Sequence, residues 1–91
     1  MDLQELRKSI DEIDDTLIQL FQKRMDLSTE IAKYKQQNNL PVHDPVREQA
    51  ILENLSSKVS DRHKSSISAL YSLLFELSRA EQERVLKPEV I

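Results

Sequence analysis

The chain has 91 residues, 38% of them hydrophobic and 32% charged, with two Phe, two Tyr and no Trp, so a thick single-chain core is hard to build. It holds three Pro and no Gly, which leaves tight hairpin turns that need positive φ almost without candidates and argues against a β fold. A net charge of −3 gives no global attraction to nucleic acid or to an anionic membrane surface, and zero cysteines exclude disulfides and thiolate metal sites.

Met1 to Arg7 alternates polar and apolar residues without an apolar h-region, so neither a signal peptide nor a membrane span is expected and the reading is of a cytoplasmic protein. The length fits a single domain, residues 1–91, which as an ordinary globule would have a radius of gyration of roughly 12 Å. From Leu3 onward the apolar residues fall at Leu6, Ile10, Ile13, Leu17 and Leu20, then at Leu27, Ile31 and Tyr34, in steps of three and four. Neither Pro nor Gly interrupts Asp2 to Leu40, and the spacing predicts one helix of about 35 residues, roughly 50 Å long. Such a helix is longer than a globule of this size is wide. Its apolar stripe needs a cover, and a second copy of the chain is the natural one.

The helix is expected to stop within Gln36 to Asn39, since Pro41 disfavours a helical Leu40 and Asn is a usual C-terminal residue. Asp44 then reads as the N-cap of a second helix, with Pro45 at its first position and Ile51, Leu52 and Leu55 as its buried face. The polar run from Ser56 to Ser66 is expected to contain the next loop. A third helix is predicted from about His63 or Ser65 to Val85, with Ile67, Leu70, Leu74 and Leu77 at the same spacing and Pro88 marking its end. The fold expected is all-α, three helices per chain.

One position breaks the apolar series of the first helix. Between Leu20 and Leu27 the seam carries Arg24, and a cation there needs either an acidic neighbour from another helix or a bound anion. Lys35 lies eleven residues on, close to three turns, so it returns to nearly the same face; alone it would be read as offsetting the helix dipole. Arg7 is seventeen residues before Arg24 and about 25 Å away along the axis, so within one helix it cannot serve the same small ligand. Two long helices running antiparallel in a dimer would bring Arg7 of one chain toward Arg24 and Lys35 of the other; otherwise Arg7 is a surface residue among acids. Asp44, Arg47 and Glu48 crowd the first turn of the second helix, where free backbone amides attract oxygen ligands, although capping alone explains Asp44. Ser78 and Gln82 stand one turn apart on the third helix and can look inward, as satisfied core groups or as ligand contacts. His43 and His63 fall in or beside loops and carry no assigned role.

Three segments in order, LRKSIDEIDDTLIQLFQKRMDLSTEIAKYK, LPVHDPVREQAIL and LYSLLFELSRAEQ, give the chain its resemblance to the small all-helical chorismate mutases. The resemblance covers the whole chain. It implies an intertwined homodimer with two equivalent sites for chorismate, each completed by Arg7 of the other chain. Arg24 would then pair with one substrate carboxylate and that Arg7 with the second, while Arg47 and Ser78 support the carboxylates and their network. Lys35 and Gln82 would donate hydrogen bonds to the ether oxygen whose bond breaks, and Glu48 with the backbone at Asp44 would hold the ring hydroxyl.

The reaction so implied, chorismate to prephenate, is an intramolecular Claisen rearrangement of aromatic amino acid biosynthesis and needs no metal and no cofactor. Two carboxylate clamps hold the reactive geometry, and donors fixed at the ether oxygen stabilise the charge that develops there. An isochorismate pyruvate-lyase shares the helical scaffold and the cationic site, but the acids Asp44 and Glu48 match the mutase pattern better. A non-catalytic helical dimerisation module would need the heptads alone, and gains nothing from Arg24 in its seam.

Overall fold

The computed structural model describes residues 2–86 and consists of three helices, α1 (Leu3–Gln37), α2 (Pro45–Ser56) and α3 (Asp61–Leu86). The first is capped by the Asp2 carboxylate, which accepts from the Glu5 amide at 2.8 Å. It ends without glycine. Asn39 takes the left-handed backbone at φ 56°, and the Leu40 amide donates to the Lys35 carbonyl at 2.8 Å while the Asn39 amide reaches that of Gln36. This closes the helix in the Schellman manner, with an Asn where Gly is usual. Asp44 caps α2 by accepting from the Arg47 amide at 3.0 Å, with Pro45 at the first helical position.

The length of α1 and the start of α2 are as expected, and Ile51, Leu52 and Leu55, expected as the buried face of α2, are half-buried. The third helix begins earlier than the expected His63 or Ser65. Asp61 occupies its first turn, where an acid suits the free amides, and pairs with Lys64 one turn on at 2.9 Å. The polar run from Ser56 to Ser66 does contain the connection, at residues 57–60, and its remainder forms the solvated first turns of α3. His63 lies within α3. The end assigned to Pro88 falls outside the described residues.

Helix α3 packs against both other helices and is what joins them. The molecule measures 53 × 33 × 17 Å with a radius of gyration of 16.7 Å, well above the roughly 12 Å of a globule of this length. Among the described residues only Ala32 and Phe75 are buried apolar side chains, and Ser28 and Gln82 are buried beside them. The seam positions of the first half of α1, from Leu3 to Leu20, are each between 47% and 61% exposed. No helix among the described residues is long and apolar enough to cross a membrane.

Candidate active site

The polar half of this thin core is where the side chains singled out from the sequence converge. Arg24, Ser28, Ile31 and Lys35 follow one face of α1 at three-four spacing, and the capped start of α2 faces them across a cleft of about 350 Å³. Helix α2 contributes Asp44, Arg47 and Glu48, and α3 closes the cleft with Phe75, Ser78, Arg79 and Gln82. Of the eight residues named from the sequence, seven line this cleft. Arg7, exposed on the second turn of α1, does not.

A directed hydrogen-bond chain fixes the floor. The Lys35 ammonium donates to the Val42 carbonyl at 2.6 Å and to the side-chain carbonyl of Gln82 at 3.0 Å. The Gln82 amide then donates to Ser78 Oγ at 3.4 Å, and the hydroxyls of Ser78 and Ser28 lie 2.6 Å apart. Ser28 donates its single proton to the Arg24 carbonyl at 3.1 Å, so Ser78 is the donor in the pair of hydroxyls. Each group polarises the next. The chain leaves one Lys35 proton and one Gln82 amide proton uncommitted, on two groups that line the cleft.

The charges are uneven. Arg24, Lys35, Arg47 and Arg79 face Asp44 and Glu48, in a protein whose net charge is −3. Asp44 is engaged in capping, and Arg79 donates to Glu48 Oε2. Among the described residues none of Arg24, Lys35 and Arg47 has a carboxylate within ion-pair range. The structural salt bridge open to Arg24 from the sequence is thus not what holds it. Its guanidinium lies 6.0 Å from the centre of the Tyr71 ring, which itself meets Phe75 edge-on. Three uncompensated cations around one small cleft suit a ligand with more than one negative charge.

Residues 6–83 match the family described as chorismate mutase type II. The chain belongs to that family. The T-protein of Haemophilus influenzae is 42% identical over 67 residues, which cover 74% of this chain and 17% of that protein. A bifunctional chorismate mutase/prephenate dehydratase of Buchnera aphidicola subsp. Baizongia pistaciae is 39% identical over 84 residues, 89% of this chain and 22% of the relative. The chorismate mutase of Methanocaldococcus jannaschii is 32% identical over 88 residues, 93% of this chain and 88% of its own. The chain therefore spans only 17 to 22% of the length of the first two relatives and most of the third.

Two residues of this cleft had no sequence signal strong enough to single them out. Ser28 is 3% exposed and sits one turn after Arg24, where a small polar residue in a long helix reads as neutral. Arg79 follows the inward Ser78 by one position, a spacing that normally points a charged side chain to solvent. Only the packing of α2 on α3 brings it to Glu48, whose other oxygen lies 3.8 Å from His43. Beyond the cleft, Thr29 and Glu81 tie α1 to α3, and the hydrogen bond from Arg84 holds the Glu81 carboxyl below its usual pKa.

Proposed function

We propose that the chain catalyses the rearrangement of chorismate to prephenate, acting as a homodimer in the cytoplasm with the three helices of each chain forming one mutase domain. The observation that carries this reading is the meeting of uncompensated Arg24, Lys35 and Arg47 with the buried Gln82 in one cleft of a chain of the chorismate mutase type II family. In the reaction the ether carbon–oxygen bond breaks as a carbon–carbon bond forms within one molecule, with no proton or electron gained or lost. Binding can thus do most of the work by holding the enolpyruvyl arm over the ring. Arg24 pairs with one carboxylate, supported by Arg47, while Ser78 holds the network behind them by accepting from Gln82 and donating to Ser28. The ether oxygen gains negative charge as its bond breaks, and the free protons of Lys35 and Gln82 are donors that stabilise that state more than the ground state. Glu48, beside Asp44 at the start of α2, accepts the ring hydroxyl.

Two features support the dimer. A chain with two buried apolar side chains among those described has little to hold it folded alone, while fully burying one Leu or Ile contributes about 1.5 to 3 kcal/mol. The exposed stripe from Leu3 to Leu20 offers six such residues on one face, and two copies laid antiparallel along it bring Arg7 of the partner subunit to the open end of each cleft. That Arg7 then clamps the second carboxylate.

The test is to add the purified protein to chorismate, follow the loss of its absorbance and identify the product, with Arg24→Ala as control. Prephenate from wild type alone supports the reading. Release of pyruvate would assign a lyase instead, and an inert but folded dimer would leave an interaction module.

A further inference from the structure

We propose that Arg79 is a positioning and specificity-determining residue: it fixes how Glu48 meets the substrate ring and biases that position toward a neutral hydroxyl over an ammonium. The inference rests on the proposed role of Glu48 as acceptor of the ring hydroxyl.

Arg79 and Glu48 come from different helices, and their side chains are 29% and 21% exposed. The guanidinium donates to Oε2 alone. Among the described residues nothing donates a hydrogen bond to Oε1, since the His43 ring at 3.8 Å is beyond hydrogen-bond distance and is itself exposed. One oxygen is therefore held and the other is left to accept. An ionised carboxylate only accepts, so a ring substituent placed against Oε1 must bring the proton, as a hydroxyl or an amine does.

Charge separates those two. A carboxylate standing alone would attract an ammonium strongly, and a hydroxyl only through its hydrogen bond. With a guanidinium on Oε2 the unit is close to neutral, so the attraction for a cation falls while the acceptor remains. The pair also has a wall-like placement. Glu48, Phe75 and Arg79 border both the cleft and a second hollow on the far side, lined by Pro45 and Leu52. Without the Arg79 guanidinium on Oε2, Glu48 can swing toward that hollow and withdraw its acceptor from the ring.

The experiment compares wild type, Arg79→Met and Arg79→Lys on chorismate and on the analogue with an amine in place of the ring hydroxyl. The amine compound is read as a competitive inhibitor where it does not turn over. Arg79→Met keeps the apolar stem, and its kcat/KM on chorismate should fall by about ten- to a hundredfold, as expected for a misplaced contact. Its preference should move toward the amine by about three- to tenfold. Arg79→Lys keeps the charge without the planar guanidinium that sets the direction of the hydrogen bond, so it should lose efficiency on chorismate and keep the wild-type preference. The preference is read as the ratio of the two kcat/KM values, or as KM for chorismate over the inhibition constant where the amine does not turn over, and neither ratio depends on the folded fraction. Equal losses on both compounds in Arg79→Met, or wild-type efficiency in either variant, would overturn the inference. If Arg79→Met does not fold, a changed preference in Arg79→Lys overturns it alone. A wild type inert toward chorismate would instead sink the reading of function, and the inference with it.

Discussion

The Lys35 ammonium lies 3.0 Å from the side-chain carbonyl of Gln82, a residue 47 positions further along the chain. This contact ties the last turns of α1 to those of α3 and sets the amide the right way round: its oxygen is occupied by Lys35 and its NH₂ is left to donate. The Val42 carbonyl holds the same ammonium from the connection that leads into α2. Lys35 is thereby fixed from two directions before any ligand arrives, which is the preorganisation that stabilisation of developing charge requires.

Lys35→Ala is therefore expected to lower kcat by about two to three orders of magnitude, the usual effect of losing one donor to a developing oxyanion. The protein should remain helical, because the alanine removes two polar contacts and leaves the apolar faces of the helices in place. Steady-state kinetics beside circular dichroism checks both halves. A folded variant with near-normal turnover would remove Lys35 from the mechanism.

Ser28→Ala probes the far end of the same chain. Ser28 accepts from Ser78 and passes its own proton to the Arg24 carbonyl, so the alanine leaves the Ser78 hydroxyl without its acceptor. A loss of about 1 kcal/mol in stability is expected, measurable by urea unfolding. The effect on kcat should be much smaller than that of Lys35→Ala, since Gln82 keeps its contact with Lys35. A stability equal to wild type would mean that the hydroxyl pair contributes nothing.

The positions of these residues were legible in the sequence to different depths. The length of α1 follows from an unbroken three-four series free of Pro and Gly, and the start of α2 from Asp44-Pro45, because both signals are local. Arg24 stood out because it violates that series, and Lys35 because it shares its face. Arg79 and Ser28 were not legible. Each has an ordinary position on its own helix, and what they do arises from contacts across 31 and 50 residues of chain. The early start of α3 was hidden for the opposite reason: Arg62, His63 and Lys64 are as polar as a loop, but polarity in an exposed first turn carries no information about backbone shape.

Tyr71→Leu tests what holds Arg24 in place of a carboxylate. The ring lies under the guanidinium at 6.0 Å, and a contact of this kind at a partly exposed site stabilises by about 0.5 to 1 kcal/mol. Its loss should raise KM for chorismate about two- to fivefold with kcat nearly unchanged, because Arg24 would be less well positioned but still present. Isothermal titration with a dicarboxylate analogue of the substrate gives the same comparison without turnover. An unaltered KM would mean that the cleft orders Arg24 by other contacts.

Arg7 decides whether the site spans two chains. Arg7→Ala and Arg24→Ala should each be nearly inactive alone, since each removes one of the two carboxylate clamps. Mixed in equal amounts and allowed to exchange subunits, they should recover activity. In a dimer with one chain of each kind, one site draws its Arg24 from the Arg7→Ala chain and its Arg7 from the Arg24→Ala chain, and is intact; the other site lacks both. With random pairing half the dimers are mixed, so about a quarter of the wild-type activity should return. Native mass spectrometry with one variant carrying a heavy-isotope label shows whether exchange has occurred. A mixture that exchanges subunits yet stays inactive would place Arg7 in the same chain's site or in none, and would leave the exposed stripe of α1 as the only reason for the second copy.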